Sequence, residues 1–292
     1  MLLLRLAVLG LVLAPLACPA LADEAPAGGE KHLLRYKFSP GEDVRWEVVH
    51  QNNVDSTVQG VRQTSEAYSR SAKIWKFSAD STPEKLKFTH FVEDVQMRQK
   101  VSGRAEVTYD SRRDKDPPAE YKPIQASIGV PLVEMTVDAR GEVLERVDKR
   151  SGAGPAEGAQ AMVVPLPEEA VSVGHTWSVP YETQVTLTSG GAKKIKLRRD
   201  YKLTEVDKGL AKIEVHTQVL SPVNDPAIEA QLIREAADGV VRFDIERGRV
   251  VGQQLDLDKR VIAFSGPASS MHYVGRFTEE LSTAPVETAR KP

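Results

Sequence analysis

SPGEDVRWEVVHQ, Ser39–Gln51, sets the pattern for the chain. Pro40-Gly41 signals a turn, and Val44, Trp46 and Val48 then alternate with Arg45 and Glu47. A period of two lays one side of a strand on a core and the other in water. The period continues outward from here. HLLRYKF (His32–Phe38) predicts a strand just upstream, and Glu66–Ala79, Glu84–Val101 and Gly103–Asp110 predict three downstream. In the second of these Leu86, Phe88 and His90 alternate with Lys85, Lys87 and Thr89. Strands of this length suit a strongly curved or barrel-like sheet.

Ser111–Tyr121, charged and carrying Pro117-Pro118, reads as an exposed loop. A hairpin follows, with strands over Val133–Val137 and Glu142–Val147 and a turn at Asp138-Ala139-Arg140-Gly141. The Gly-, Ala- and Pro-rich stretch Arg150–Gln160 is the best domain boundary. Strands are then expected over Trp177–Ser189, Lys193–Val206 and Leu210–Leu220, with turns at Gly190-Gly191 and Asp207-Lys208-Gly209. Pro226–Ala237 is the one helical stretch, with Pro226 near its start and Ile228, Leu232 and Ile233 at helical spacing. A hairpin over Val240–Asp258 turns at Glu246-Arg247-Gly248, and Lys259–Ser265 and Met271–Leu281 complete the set.

The expected fold is therefore all-β: two related antiparallel domains, residues 31–150 and 160–283, of curved sheets or half-open barrels with one short helix. A linker covers 151–159 and a disordered tail 284–292. The two halves share landmarks. Gly41 and Trp46 open the first as Gly174 and Trp177 open the second, and Arg140-Gly141-Glu142-Val143 is matched by Arg247-Gly248-Arg249-Val250. The spacings between these landmarks differ, as they would after unequal insertions.

Residues 1–22 have the layout of a secretory signal peptide: Arg5, an apolar run over Leu6–Leu16, and small residues at Ala20 and Ala22, with cleavage before Asp23. A flexible lead-in, 23–30, follows. The reading is export to the periplasm or the exterior, with no transmembrane segment in the mature chain. Cys18, the sole cysteine, offers a lipid anchor as the alternative, against which Pro15 stands at the position where a lipoprotein signal carries leucine. The mature chain is then free of cysteine, and stability falls to an ordinary apolar core. Net charge is −2, or −3 once Arg5 is removed. That balance lacks the basic footprint of a nucleic-acid binder or of a membrane-surface protein.

The motifs of catalysis are missing. The six histidines, His32, His50, His90, His175, His216 and His272, are scattered with no metal-ligand spacing. No Gly-x-Ser-x-Gly or Ser-x-x-Lys appears, and Gly190-Gly191 lacks the Lys-Ser/Thr of a phosphate loop. Glu93-Asp94 and Glu168-Glu169 are sequence neighbours, which a strand points to opposite faces. No catalytic residue, metal or cofactor is assigned. Trp46, Trp75 and Trp177 sit in β-patterned stretches as core anchors, with stacking on a ligand as the alternative.

Pro167–Trp177 (PEEAVSVGHTW), Leu34–Gly41 (LRYKFSPG) and Asp138–Val143 (DARGEV) resemble turn and anchor motifs of a family of uncharacterised exported bacterial β-rich proteins. The resemblance covers most of the mature chain and implies the β fold; it brings no activity and no site residues. The leading expectation is a non-enzymatic exported binding module for an apolar ligand such as a lipid or an acylated protein. A structural or interaction protein of the cell envelope is the alternative, and a hydrolase with dispersed catalytic residues comes third.

Overall fold

Alternation of apolar and polar residues builds the fold, and it runs further than the turn signals suggest. A computed structural model describes residues 29–149 and 163–282. The expected signal peptide with Cys18, residues 23–28 of the lead-in, the linker 151–159 and the tail 284–292 lie outside the described residues.

Within the first half, β1 (Asp43–Val58) and β2 (Val61–Phe77) form one long hairpin, and β3 (Leu86–Val101) follows. The tip between β1 and β2 is a two-residue turn with positive φ at Gln59 and Gly60, the geometry that matches strand twist. The short β4 (Val107–Asp110) pairs with the far half of β3. A four-residue helix, α1 (Lys122–Gln125), was not expected; Pro123 sits in its first turn. The expected hairpin is present as β5 (Val133–Val137) and β6 (Val143–Asp148).

The second half contributes β7 (Thr176–Thr186), β8 (Ala192–Asp207) and β9 (Leu210–Val219). The expected helix is observed as α2 (Pro226–Leu232), continued by a 3-10 turn over Ile233–Ala236. Pro226 opens it, and the Asp225 carboxylate caps it by accepting from Ala227 N at 2.9 Å. Then come β10 (Asp238–Asp244), β11 (Arg249–Ile262) and β12 (Ser270–Leu281). The hairpin strand expected to stop at Asp258 and the separate strand expected from Lys259 are one strand, β11.

All twelve strands belong to one antiparallel sheet, ordered β6-β5-β3-β2-β1-β12-β11-β10-β9-β8-β7 with β4 beside β3, and it is not closed into a barrel. Residues 31–150 supply β1 to β6 and residues 160–283 supply β7 to β12. The halves meet where β1 and β12 pair from Trp46↔Leu281 to Thr57↔Ser270.

The inner face carries Val44, Trp46 and Val48 on β1, Trp75 on β2, Phe88 on β3, Met135 on β5, Leu203 on β8, Ile213 on β9 and Phe243 on β10. These residues form one buried core drawn from both halves. One sheet can enclose such a core only by curling. The nearest strands of the β5–β6 and β10–β11 hairpins, β5 and β11, lie five strand spacings apart along the sheet, about 24 Å if it were flat. Yet Tyr36 N donates to Ala139 O at 2.7 Å and the adjacent Lys37 N donates to Gly248 O at 2.8 Å, so the two turns hold neighbouring residues of one segment.

The segment His32–Phe38 is therefore not a strand of the sheet. It is extended, so its alternation is genuine, with Leu34 and Tyr36 turned into the core. Its backbone partners are turns and a loop: beyond the two contacts just named, His32 bridges Val171. Gly141 and Gly248 in the paired Arg-Gly turns are required by this grip. Both have positive φ. A Cβ on Gly141 would sit 2.7 Å from the Val163 side chain, and one on Gly248 would sit 2.5 Å from Arg35 O.

Candidate functional site

The curled sheet has two dissimilar ends. At one end, 32–38 and 163–171 fill the space inside. Leu34 is fully buried, the Tyr36 hydroxyl donates to Val164 O at 3.0 Å, and Trp177 Nε1 donates to Pro165 O at 2.9 Å. Beneath this plug Lys73 on β2 and Glu279 on β12 form an ion pair, both less than a tenth exposed. The Lys73 ammonium lies 4.8 Å from the ring centres of both Trp46 and Trp75, and Gln253 Nε2 donates to the Glu279 carboxylate at 3.0 Å. A buried pair is tolerable only when its remaining hydrogen-bond capacity is met, and here the rings and the amide meet it.

At the other end the roof is α2 with its 3-10 extension. Ile228 and Leu232 pack with Val185, Ile195 and Leu197 on β7 and β8. Ile233 packs with Leu257, Val261 and Tyr273 on β11 and β12. Gln231 fixes the roof to the β7 edge, accepting from Thr186 N and donating to Thr186 O, both at 2.8 Å. The Tyr181 hydroxyl donates to Glu235 at 2.9 Å.

Between these two anchor points the roof stands clear of the sheet and leaves a cavity of about 710 Å3, partly open to solvent. Its apolar lining comes from Val215, Val241, Leu255, Leu257, Tyr273 and Phe277 on the sheet and Leu232 and Ile233 on the roof. The polar lining is nearly as extensive and includes His50, Asn52, Arg199, Gln253, Arg234 and Glu235. Burial pushes the Tyr201 phenol up to about 12, and Tyr181 is raised by burial and then by Glu235. Both phenols stay neutral donors at physiological pH. The His50 ring stands 4.8 Å from that of Phe277 and is reached by solvent through the cavity. Surrounding protein lowers its pKa by desolvation, with Glu279 opposing and Arg234 reinforcing the shift.

None of the three tryptophans lines this space. Trp46 and Trp75 are buried at the plugged end, their rings 4.7 Å apart, and Trp177 stacks on Tyr201 at 5.5 Å. The cavity residues form no motif, because they come from separate strands that only the curl brings together. A signal for them was present in Lys194–Leu203 (KIKLRRDYKL), where Arg199 occupies an inward position between Leu197 and Tyr201. His50 follows Val48 on the inner side of β1 in the same way.

Two histidine–carboxylate pairs occur elsewhere, His216–Asp238 and His272–Asp258, each at 2.7 Å. Both lie on the outer face, outside the cavity. Ser178, beside the first pair, donates to Asp200 at 2.6 Å. Among the described residues no group of three or more side chains is placed to hold a metal, and no helix is long and apolar enough to cross a membrane.

No protein-family model and no curated protein matches the chain. Among solved structures it is similar to lipovitellin, from a structure of lipid–protein interactions in that protein. Identity is 10% and the TM-score 0.46, over 87% of this chain and 27% of the lipovitellin chain. The chain thus spans about a quarter of that relative's length. It is also similar to DynF from the dynemicin biosynthesis pathway of Micromonospora chersina, at 8% identity and a TM-score of 0.23 over 92% and 95% of the two chains. OccK8 (OprE) of Pseudomonas aeruginosa matches at 7% identity and a TM-score of 0.20, over 84% of this chain and 99% of its own.

Proposed function

We propose that the mature chain is an exported, non-enzymatic binding module that holds an apolar ligand beneath α2. The cavity of about 710 Å3 is the observation that supports this. It falls within the ~300–1,000 Å3 range of pockets that enclose small organic ligands, and an apolar stretch of its wall lies beside polar groups that can orient a ligand. Its floor is rigid sheet and its roof is a short helical segment held at two anchor points, so a ligand can enter without disturbing the plugged end. Export is the reading of residues 1–22, and the empty motif inventory favours binding over chemistry.

The test is a titration of the mature chain with decanol, an uncharged single-chain probe, followed by the methyl resonances of the cavity. Saturable shifts at Leu255, Leu257 and Ile233 are expected. In Leu255→Trp the indole occupies the cavity, and decanol affinity falls at least about tenfold while the thermal midpoint stays within a few degrees. Absence of saturable binding by the unaltered chain contradicts the reading.

A second reading, docking of an envelope partner, draws on the sheet edge. The edge strand β6 exposes Val143, Leu144 and Val147, apolar residues on an edge where a further strand could add.

A further inference from the structure

Arg199 is the exceptional residue of the cavity. The inner face of β8 reads Ile195, Leu197, Arg199, Tyr201, Leu203, and only Arg199 is charged. Its guanidinium lies 5.5 Å from the centre of the Tyr181 ring, and its Nε is 3.5 Å from Thr217 Oγ1. Among the described residues no carboxylate pairs with it. A guanidinium carries five donors in a planar fork; the hydroxyls of Tyr181, Tyr201 and Thr217 accept from it, but no anion neutralises its charge.

The remaining charges of the cavity wall do not supply that anion. Arg276 is paired with Asp256, and Glu235 is engaged by the Tyr181 hydroxyl. Arg234, exposed on the roof, has no carboxylate partner among the described residues either. Two cations without a carboxylate partner thus line the cavity together with one carboxylate. The excess is a single positive charge, which suits a monoanion better than the more highly charged phosphate monoester.

We infer that the cavity takes a single-chain fatty carboxylate, its head met by Arg199 and its chain lying against Leu255, Leu257 and Phe277. This rests on the apolar-ligand reading above and names the ligand class for that site. Tyr201 and Thr217 beside Arg199 are neutral hydroxyl donors and can share the carboxylate oxygens. Arg234 stands at the mouth, where a passing anion meets it first.

The experiment compares three ten-carbon probes, decanoate, decanol and decyltrimethylammonium, on the mature chain by calorimetric titration at neutral pH. Decanoate is expected to bind about ten- to a hundredfold more tightly than decanol, the range for a charge-assisted hydrogen bond in place of none. Decyltrimethylammonium is expected to bind more weakly than decanol. In Arg199→Gln the preference for decanoate over decanol collapses while decanol affinity holds within about twofold, and Arg199→Lys retains part of the preference. Arg234→Gln lowers decanoate affinity by only about two- to threefold, because its charge is exposed. Equal affinity for decanoate and decanol, or a preference unchanged in Arg199→Gln, overturns the carboxylate inference and leaves the apolar-ligand reading standing. Failure of all three probes to bind overturns both.

Discussion

The two ends of the curled sheet are built from the same alternating strands and end in opposite states. At the plugged end the chain inserts its own extended segment, 32–38, into the space the sheet encloses, and two hairpin turns from opposite halves close on it. At the open end the cover is α2 with its 3-10 turn, which touches the sheet along two lines and spans the gap between them. The difference lies in what covers the inner face. An extended segment threads side chains into every position beneath it. A helix laid across a concave surface meets it only where the surface rises, and the hollow beneath is left for something else. One end is a core and the other a container.

The sharpest way to break the comparison is to remove the buried ammonium beneath the plug. Lys73→Met leaves Glu279 without its cation between two tryptophans, and a loss of about 3–5 kcal/mol of unfolding free energy is expected in urea denaturation. Lys73→Met combined with Glu279→Gln should recover most of it. If Lys73→Met costs less than about 1 kcal/mol, the pair is no part of what holds this end together.

Truncating one leucine at each end comes next. Leu34→Ala, at a fully buried position in the plug, is expected to cost about 3 kcal/mol, and Leu255→Ala, on the cavity wall, under about 1 kcal/mol. The cavity already separates Leu255 from part of its surroundings, so its truncation creates little new void. Equal losses in denaturation would mean that the open end is as closely packed as the other.

Acid sensitivity separates the ends more gently. His90, half-buried and opposite Trp75 across β2 and β3, has its pKa lowered to about 4, chiefly by desolvation and then by Lys73. Its unfolded value is near 6.5, so between these limits the unfolded chain binds the proton and the native chain does not. Its contribution is complete above pH 6.5 and is lost as pH falls toward 4, on the order of 3 kcal/mol in all. His90→Leu should flatten the stability profile over that window. His50, lowered in the same direction but open to the cavity, should contribute less, and His50→Leu should change the slope less than His90→Leu does.

Much of the fold was legible because it is written in short-range alternation. β5, β8, β9 and the helix at Pro226 fall close to where period and turn residues place them. The matched Arg-Gly-x-Val turns were visible too, but their shared role was not, because it depends on curling that brings together strands five spacings apart. The same long-range geometry takes His32–Phe38 out of the sheet. A pattern of two reports an extended chain with a buried side, and it cannot say whether the backbone pairs with a strand or with turns. β11 runs past its expected end because Asp258, Lys259 and Arg260, although all exposed, stay paired with Val274, Tyr273 and His272 of β12. The cavity was the least legible feature. Its walls are ordinary strand residues, and its sequence marks are two polar residues in an inward register, Arg199 on β8 and His50 on β1.

Where a ligand sits on the curled sheet is the most direct distinction between its two ends. Intermolecular nuclear Overhauser effects between decanoate and methyl-labelled mature chain measure this without any substitution. Contacts from the decanoate chain to Leu255, Leu257 and Ile233, with none to Leu34 or Met135, are predicted. Contacts confined to the outer face or to the exposed residues of β6, or no saturable contacts at all, would contradict it.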